Sequence, residues 1–482
     1  MSNIQLEQLS PTKWRIPKSA KPGMLVDGFV YADEELLNIA GEEQALEQVA
    51  NVAFLPGIVK GSFAMPDIHW GYGFPIGGVA ATDAEKGVVS PGGVGYDISC
   101  GVRMLRTNMR FDEVKNLLEP LMYELGRNVP KGVGSHGKIK TNKQDMERIL
   151  ATGVKWAVKK GYAWPDDLDH IEEKGSVPGA DPTKVSQRAY ERGFDQEGTL
   201  GSGNHFLELQ EVVEIFDQEK AAAFGLFPGQ LVIMIHSGSR GLGHQVCTDY
   251  LKVMERASAE YCINLPDRQL ACAPINSQAG RDYLAAMTAA INYALVNRQC
   301  LAYLARQSFE FVFKKSAEAM GMTLLYDISH NTAKFETHRV DGGERLICVH
   351  RKGATRAFGP GHPAVPKAYR HAGQPVMIPG DMGRPSFILA GAETGEDEAF
   401  ASTCHGAGRL MSRAKAKRIM RGQEVRDELA KQGIIVIAGN IKTLAEEASY
   451  AYKDASRVVE VCHEAGLSKK VAKVRPHGVV KG

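Results

Sequence analysis

Hydrophobic and polar positions change their spacing several times along the chain, and these changes predict alternating helices and strands. Apolar side chains recur at helical spacing in residues 32–51, 112–127 and 143–160. Residues 52–110 instead consist of apolar runs separated by glycine, a pattern typical of β-structure. A turn-rich stretch at 165–200, which we expect at the surface, precedes two further β-runs, FLELQEVVEIF and QLVIMIHS.

The second half of the chain continues this alternation without a fixed repeat. Segments 244–262 and 280–320 are rich in Ala, Leu and aromatic residues at helical spacing, and they predict a mainly helical layer or insertion over about 244–320. Strand patterns return in TLLYDIS, RLICVHR, QPVMIPG, SFILAG and IIVIAG, and residues 443–465 predict a further helix. The irregular order of strands and helices favours a mixed α/β fold, with one domain spanning residues 1–482.

Composition narrows the class of protein only a little. The 482 residues include 58 Lys and Arg and 56 Asp and Glu, with 44% hydrophobic residues, which is typical of a globular protein and not of a disordered or fibrous one. A net charge of +2 argues against a polybasic protein but leaves room for a local nucleic-acid site. The eight cysteines form no CxxC pair, and no signal peptide or long apolar run is visible. We therefore expect a cytoplasmic protein with reduced thiols and no membrane span.

Five residues with metal-binding side chains occupy similar places in the predicted elements. His205 precedes the strand FLEL, His236 closes the strand LVIMI, and His330 follows LLYDIS. Each lies where a strand meets a loop, the usual position of side chains that point into a cleft. Asp97 and Cys100 share a glycine-rich turn that can direct a carboxylate and a thiolate at one point. Together these donors suffice for two ions that share the thiolate, an arrangement suited to phosphoryl chemistry.

Two alternatives remain open for this group. Each histidine alone is equally compatible with a structural role in which its ring is held by hydrogen bonds. The identity of the ion is also open, because Cys and His donors favour zinc whereas carboxylate and water suit manganese.

A further histidine, His405, lies in the glycine-rich segment CHGAGR. The glycines flanking His405 allow backbone N–H groups to approach a phosphate, and a basic helix predicted at 409–431 follows. A neutral imidazole there can attack phosphorus and form a phosphoramidate. The alternative is a turn histidine that only caps the helix. The helix is rich in Arg and Lys, which favours contact with a nucleic-acid backbone, and the cationic loop at 350–363 is predicted to be a mobile rim.

Taken together, these motifs resemble the RtcB family of GTP-dependent RNA ligases over nearly the whole chain. The resemblance rests on DISCGVR, GSGNHF, HSGSRG, SHN, HRKGAT, the PGxMG loop, CHGAGR and the final VVKG, in this order. It implies β-sheets that line a central metal cleft, with helices around them. It also implies an enzyme that joins an RNA 2′,3′-cyclic phosphate or 3′-phosphate to a 5′-hydroxyl end, in tRNA splicing or RNA repair, with GTP and two Mn²⁺ ions.

The resemblance assigns roles to individual residues. Cys100 would bridge the two ions, one completed by His236 and His330 and the other by Asp97 and His205. His405 would be guanylylated, and GMP would pass to the RNA 3′-phosphate before the 5′-hydroxyl displaces it. The implied nucleotide-binding residues are Asn204, Phe206, Glu208, Asn331, Pro379, Gly380, Asp381, Met382, Ser386, Gly406, Ala407, Gly408 and Lys481. The implied RNA or phosphate contacts are Arg240, Lys352, Arg409 and Arg413.

One position departs from the family pattern. Asp381 stands in the PGxMG loop where we expect Ser, although a carboxylate there can still accept hydrogen bonds from guanine N1–H and N2–H₂.

Two other functions compete with ligation. A metal-dependent RNA cyclic phosphodiesterase or phosphohydrolase needs the same metal ligands but neither His405 nor GTP. A non-catalytic RNA-binding protein needs only the basic helix. For partners we expect RNA and GTP, with an activating helper protein as an open alternative, and we expect a monomer.

Overall fold

The computed structural model describes residues 4–42 and 44–482, and within them the chain forms a mixed α/β fold around two large sheets. The strands, in chain order, are β1 (Glu7–Ser10), β2 (Lys13–Ile16), β3 (Gly28–Tyr31), β4 (Ile58–His69), β5 (Ile76–Asp83), β6 (Val88–Val89), β7 (Gly101–Arg110), β8 (Phe206–Ile215), β9 (Gln230–Ser237), β10 (Ala273–Pro274), β11 (Leu324–Ser329), β12 (Asn331–Val340), β13 (Gly343–Lys352), β14 (Ala354–Arg356), β15 (Pro375–Ile378), β16 (Ser386–Gly391), β17 (Ser402–Cys404), β18 (Ile435–Ala438) and β19 (Ser468–Lys481).

Helices flank these sheets and are short except for two. In chain order they are α1 (Glu34–Glu42), α2 (Ala45–Val52), α3 (Phe111–Val114), α4 (Leu118–Asn128), α5 (Lys143–Thr152), α6 (Val154–Lys159), α7 (Gln187–Gly193), α8 (Gln218–Ala223), α9 (Arg240–Glu260), α10 (Gln278–Phe313), α11 (Gly395–Ala399), α12 (Arg413–Ile419), α13 (Gly422–Lys431) and α14 (Ala455–Glu464). No helix within residues 4–42 and 44–482 is both long and apolar enough to cross a membrane.

The two large sheets are mainly antiparallel. The seven-stranded sheet has the order β1-β2-β3-β4-β5-β13-β12. The eight-stranded sheet has the order β11-β7-β9-β8-β19-β16-β15, with β18 beside β19. A small sheet of β14 and β17 brings the segment before His405 next to the end of β13.

The eight-stranded sheet is covered on both faces in its centre, which explains why its central strand β9 is a nearly continuous apolar run. Along β9, Val232 and Met234 belong to a core that also contains residues of the seven-stranded sheet. Their neighbours Leu231, Ile233 and Ile235 belong to a second core that contains residues of α9 and α10. Because side chains alternate across a strand, one run such as QLVIMIHS supplies both cores.

Several predicted helices are interrupted. Residues 32–51 form α1 and α2, with residue 43 outside the described residues, and residues 143–160 break at Gly153. Gly153 has a φ of +56°, and a Cβ on it would lie 2.2 Å from the Gly175 carbonyl oxygen, so this close approach requires glycine.

The prediction of one basic helix over 409–431 is wrong. The helix α12 begins only at Arg413, where the Ser412 side chain accepts a hydrogen bond from the Lys415 N–H, and the chain leaves helical geometry at Met420 before α13 begins. His405 therefore does not stand at a helix N-terminus, because seven residues separate it from α12.

Three further predictions need correction. Residues 443–465 are not one helix, since 3₁₀ turns at Ile441–Glu447 and Ser449–Ala451 precede α14. The segment 350–363 is not a loop throughout, since it begins with the buried end of β13 and continues into β14. The turn-rich stretch 165–200 also contains fully buried residues, among them Glu197.

Candidate active site

Four adjacent strands bring the predicted metal ligands to one edge of the eight-stranded sheet. The strand β7 starts directly after Cys100, and β8 starts directly after His205. The antiparallel neighbours run the other way, so that β9 ends just past His236 and β11 ends just before His330. The register matches, because Gly101 lies opposite both Ser237 and Ser329.

The thiol of Cys100 lies at the centre of the cluster. Its Sγ is 3.2 Å from His236 Nε2 and 3.4 Å from His205 Nε2. His330 Nε2 lies 3.2 Å from His236 Nε2, and Asp97 Oδ2 lies 2.9 Å from His205 Nε2. The donor atoms fall into two triads, Cys100–His236–His330 and Asp97–Cys100–His205, each within 4.8 Å. Cys100 belongs to both.

Burial sets the protonation of this cluster. Removal from water lowers the pKa of His236 and His330 well below the usual value, which keeps both rings neutral. Burial also raises the pKa of the Cys100 thiol, so that a metal ion must displace its proton. Although burial opposes ionisation of Asp97, the hydrogen bond to His205 helps to hold its pKa at about 2. The cluster thus offers neutral nitrogens, a carboxylate and a displaceable thiol proton.

These donors fit one or two transition-metal ions. His205 Nδ1 lies 2.9 Å from the Leu200 carbonyl oxygen, to which it can donate a hydrogen bond, so Nε2, the nitrogen that faces Asp97 and Cys100, is the atom that would bind a metal ion in place of its contact with Asp97. Nitrogen, thiolate and carboxylate donors are compatible with zinc and with manganese.

His405 follows β17, and its ring is held by a carboxylate that the sequence analysis missed. Asp67 Oδ2 lies 2.6 Å from His405 Nδ1 and also accepts the backbone N–H groups of His405 and Gly406. Because Asp67 is buried in β4, the contact joins the seven-stranded sheet to the glycine loop. The ring centroids of His405 and His330 are 4.9 Å apart. The free nitrogen, Nε2, is therefore available beside the metal-ligand cluster.

A weak signal for Asp67 was present in the sequence. It lies in a long apolar strand pattern, SFAMPDIH, where a carboxylate is unusual. Nothing in that pattern names its partner, which lies 338 residues further along the chain.

A cavity of about 240 Å³ contains most of the predicted site. Its wall includes the glycine loop, in which Gly408 has a φ of +74° and packs so closely on Asp67 that a Cβ would lie 2.4 Å from the carbonyl oxygen. The predicted residues that line it are Asp97, Cys100, Asn204, Phe206, Glu208, His236, His330, Asn331, Pro379, Gly380, Asp381, Met382, His405, Gly406, Ala407, Gly408, Arg409, Arg413 and Lys481.

Two buried carboxyl groups form one part of this wall. Burial raises the pKa of Glu208 to about 8, and it also raises the pKa of Asp381. Asp381 Oδ1 accepts hydrogen bonds from Gly383, Arg384 and Ser449, whereas its buried Oδ2 has no hydrogen-bond partner among the described residues. This wall therefore offers hydrogen-bond acceptors to a ligand that is rich in donors.

A second part of the wall is cationic, and the sequence analysis predicted only some of its residues. Arg409 and Arg413 both donate to Glu447, and Lys481 lies 4.0 Å from the same carboxylate. Tyr452 donates to Glu447 and stacks under the Arg409 guanidinium. Although burial opposes it, the positive charges of Lys481 and the two arginines hold the pKa of Glu447 below its usual value. Glu447 and Tyr452 were missed because their segment was taken for a regular helix.

Four predicted residues do not line the cavity. His205 contributes through its contacts with Asp97 and Cys100, and Ser386 lies behind the loop, where its Oγ accepts the Gly380 N–H. Arg240 donates from Nε to Thr199.

Lys352 requires a correction. It is buried, and its ammonium group donates to the carbonyl oxygens of Tyr72 and Phe74. Burial lowers the pKa of Lys352 to about 7. A buried ammonium group that is already bound to the backbone is a poor phosphate contact, and we assign it no role in RNA binding.

Comparison with known proteins gives consistent matches. The family model described as "tRNA-splicing ligase RtcB" matches residues 48–482. A protein of that name from Archaeoglobus fulgidus is 55% identical over 477 residues, covering 99% of both chains. One from Thermococcus kodakarensis is 54% identical over 479 residues, again with 99% of both chains covered. One from Pyrobaculum aerophilum is 50% identical over 485 residues and covers both chains completely.

Proposed function

This chain belongs to the RtcB family, and from that premise we propose that it is an RNA ligase that uses GTP and two Mn²⁺ ions to join 3′-phosphate or 2′,3′-cyclic phosphate ends to 5′-hydroxyl ends. The observation that carries the proposal is the position of His405. Its Nδ1 is held by Asp67, and its ring lies against His330 of the metal-ligand cluster. A nucleophile and a metal cluster in one cavity suit nucleotidyl transfer.

The first step is transfer of GMP to His405. Nε2 attacks the α-phosphorus of GTP, a nitrogen–phosphorus bond forms, and the bond to the pyrophosphate leaving group breaks. Asp67 keeps the proton on Nδ1, which leaves the Nε2 lone pair free and stabilises the positive charge that develops on the ring.

Two further transfers complete ligation. An oxygen of the RNA 3′-phosphate attacks the phosphorus on His405, and the imidazole departs, leaving GMP on the RNA end. The 5′-hydroxyl then attacks the RNA 3′-phosphorus, and GMP leaves. A cyclic phosphate is first opened by water in the same cavity.

We assign the metal ligands as the two triads that share Cys100. His236 and His330 complete one triad, and Asp97 and His205 complete the other. Bound Mn²⁺ ions would supply Lewis acidity that polarises phosphate oxygens. The burial and neutral state of these ligands support the assignment.

We assign the donor-rich guanine edge to the two buried carboxyl groups. Glu208 and Asp381 accept from N1–H and N2–H₂, and Lys481 neutralises nearby negative charge. The backbone N–H groups of the glycine loop bind phosphate. The remaining nucleotide contacts we propose are Asn204, Phe206, Asn331, Pro379, Gly380, Met382 and Ser386.

Cationic groups near the cavity are assigned to phosphates. Arg409 and Arg413 face the cavity beside Glu447 and can exchange that carboxylate for an RNA or nucleotide phosphate. We also assign Arg240 to phosphate binding, because it lies next to Gly201 at the edge of the metal-ligand cluster.

We further propose one catalytic domain over the whole chain, with α9 and α10 as its helical layer, and a monomer in the cytoplasm. All eight cysteines are free, which suits a reducing compartment. The proposal also allows a helper protein that speeds turnover. Such a protein would act on a cavity that already contains the nucleophile and the metal ligands.

The test is incubation with GTP labelled at the α-phosphate and Mn²⁺. We expect an acid-labile label that survives denaturation, is absent from His405→Ala and is present in the control His463→Gln, a histidine on α14 outside the cavity lining. An equally labelled His405→Ala protein would contradict the assignment of the nucleophile.

The same preparation separates ligation from hydrolysis. With RNA bearing a cyclic phosphate end and a 5′-hydroxyl partner, we expect joined product only when GTP is present. Opening of the cyclic phosphate without nucleotide, and no joined product under any condition, would instead identify a cyclic phosphodiesterase.

A further inference from the structure

The long helix α10 passes close to the metal ligands and presents one buried arginine to them. Arg298 is fully buried, and its guanidinium forms charge-assisted hydrogen bonds with Asp327 of β11, at 2.7 Å for the Nη2–Oδ1 pair. The same guanidinium reaches two backbone carbonyl oxygens from Nη1, those of Ser99 at 2.6 Å and Ser237 at 3.1 Å.

Each of these contacts lies within three residues of a proposed metal ligand. Ser99 precedes Cys100, Ser237 follows His236, and Asp327 lies three residues before His330. A single side chain thus links three separate segments, through the backbone of two of them and through the Asp327 carboxylate of the third, and these segments deliver the ligands of the Cys100–His236–His330 triad. No other side chain among residues 4–42 and 44–482 forms hydrogen bonds to all three segments.

The backbone at this point needs such support. Ser99 has a φ of +55°, a strained conformation for a residue with a side chain. Its Oγ lies 2.8 Å from the Ser329 Oγ, so the turn before Cys100 is tied directly to the segment before His330. Gly101 lies against the guanidinium, since a Cβ there would be 3.0 Å from its central carbon.

The rings themselves are unequally anchored. His205 is oriented by a hydrogen bond from its own ring to the Leu200 carbonyl oxygen. His330 Nδ1 is buried and has no hydrogen-bond partner among the described residues. The orientation of His330 therefore depends on how its backbone is placed.

We propose that Arg298 is a positioning residue that fixes the geometry of the Cys100–His236–His330 metal site by holding the three backbone segments at their spacing. The proposal rests on the metal assignment made under the proposed function. It predicts unequal loss when Arg298 is changed, because the other triad retains the ring anchor of His205.

Arg103 provides a matched control. It is as fully buried as Arg298 and donates to the same carboxylate, with its Nε 2.6 Å from Asp327 Oδ2. Its guanidinium also donates to Gln299, and none of these hydrogen bonds reaches a residue adjacent to a metal ligand. The Arg103→Lys variant therefore measures the general effect of altering this buried network, because it leaves the contacts of Arg298 with the ligand segments in place.

The experiment compares Arg298→Lys and Arg103→Lys by calorimetric Mn²⁺ titration of the full chain, with the melting temperature as a measure of folding. For the wild type and Arg103→Lys we expect two ions with similar affinities. For Arg298→Lys we expect one of the two ions to bind roughly 10- to 100-fold more weakly, as is common when a group behind a ligand is changed. The visible spectrum of the Co²⁺-loaded protein should change for Arg298→Lys and stay unchanged for Arg103→Lys.

Three outcomes overturn the proposal in distinguishable ways. Wild-type affinity for both ions in Arg298→Lys, or equal loss in Arg103→Lys, leaves the metal assignment intact and removes the positioning role. A wild-type chain that binds no Mn²⁺ removes the metal assignment itself. If Arg298→Lys does not fold, Arg298→Gln takes its place. If neither Arg298 variant folds while Arg103→Lys does, Arg298 is required for folding and the proposed positioning role is removed.

Discussion

The two sides of the cavity are built differently. The metal wall, formed by Asp97, Cys100, His205, His236 and His330, lies at or beside the ends of neighbouring strands, and its side chains are almost fully buried except that of Asp97, which is partly exposed. The arginine wall, formed by Arg409, Arg413, Glu447, Tyr452 and Lys481, draws on a loop, a short helix, 3₁₀ turns and the end of β19. The side chain of Arg413 is 52% exposed, although it contacts a carboxylate that is almost completely buried.

The difference reflects two kinds of task. Metal ligands must be placed to within fractions of an ångström, which strands held by a shared ladder of hydrogen bonds can do. Phosphate contacts tolerate movement, because charge attraction acts over several ångströms and long arginines adjust. Changes in the metal wall should therefore be severe and specific, whereas changes in the arginine wall should be graded and sensitive to salt.

The largest expected effect comes from Cys100→Ala. Because one thiol belongs to both triads, we expect both ions to be lost and ligation to fall to background. Elemental analysis of the purified variant measures the ions directly. Retention of two ions would show that the thiol does not bridge them.

A large effect without metal loss is expected from Asp67→Asn. The amide can donate a hydrogen bond to His405 Nδ1, which would move the ring proton to Nε2 and block the attacking atom. We expect formation of the GMP adduct to slow by about 10²- to 10⁴-fold while Mn²⁺ binding is unchanged. Single-turnover labelling measures the rate, and an unaltered rate would mean that Asp67 has no effect on the tautomer.

A moderate effect is expected from pH, through Glu208. Its pKa of about 8 means that the carboxyl group is mostly protonated at pH 7 and mostly ionised at pH 9. Since only the ionised form offers acceptors on both oxygens, GTP should bind more tightly as pH rises, by about tenfold between these values. Equilibrium binding of GTP measures this slope, which Glu208→Gln should flatten. The same slope in the variant would assign the titration to another group.

The smallest effect is expected from Arg413→Ala in the arginine wall. We expect RNA binding to weaken by about threefold to tenfold, with a salt dependence reduced by about one unit of slope. Guanylylation should change little. Lys415→Ala, on the exposed part of the same helix, is the control. Equal loss of guanylylation and RNA binding in Arg413→Ala would place the residue on the nucleotide.

Sequence patterns located the metal wall better than the arginine wall. The histidines His205, His236 and His330 each end or begin a strongly apolar run, so their positions at strand ends could be predicted. The order β11-β7-β9-β8 could not, because it joins segments far apart in the chain. The same limit hid the pairing of Asp67 with His405.

Local patterns misled in the region that carries the arginine wall. Helical spacing over 409–431 concealed the break between α12 and α13, which lies just before Gly422, where a Cβ would be 1.8 Å from the Ile441 carbonyl oxygen. Such a contact depends on a segment that is distant in the chain, and its only sign in the sequence is a single glycine. The final strand β19 was not predicted, because Pro476 and Gly478 look like strand breakers, whereas the structure accommodates them at a shift in the pairing with β8.

The hydrogen bond between Asp67 and His405 crosses from one large sheet to a loop that faces the other. The attacking nitrogen is thus positioned by the seven-stranded sheet and most of the ion-binding cluster by the eight-stranded sheet, and the core between the sheets helps to keep the two aligned. Mild warming or a low concentration of denaturant that shifts the two sheets relative to each other by about an ångström should abolish activity well before either sheet unfolds. Inactivation would then precede the loss of circular dichroism, and cooling would restore turnover without any refolding of strands.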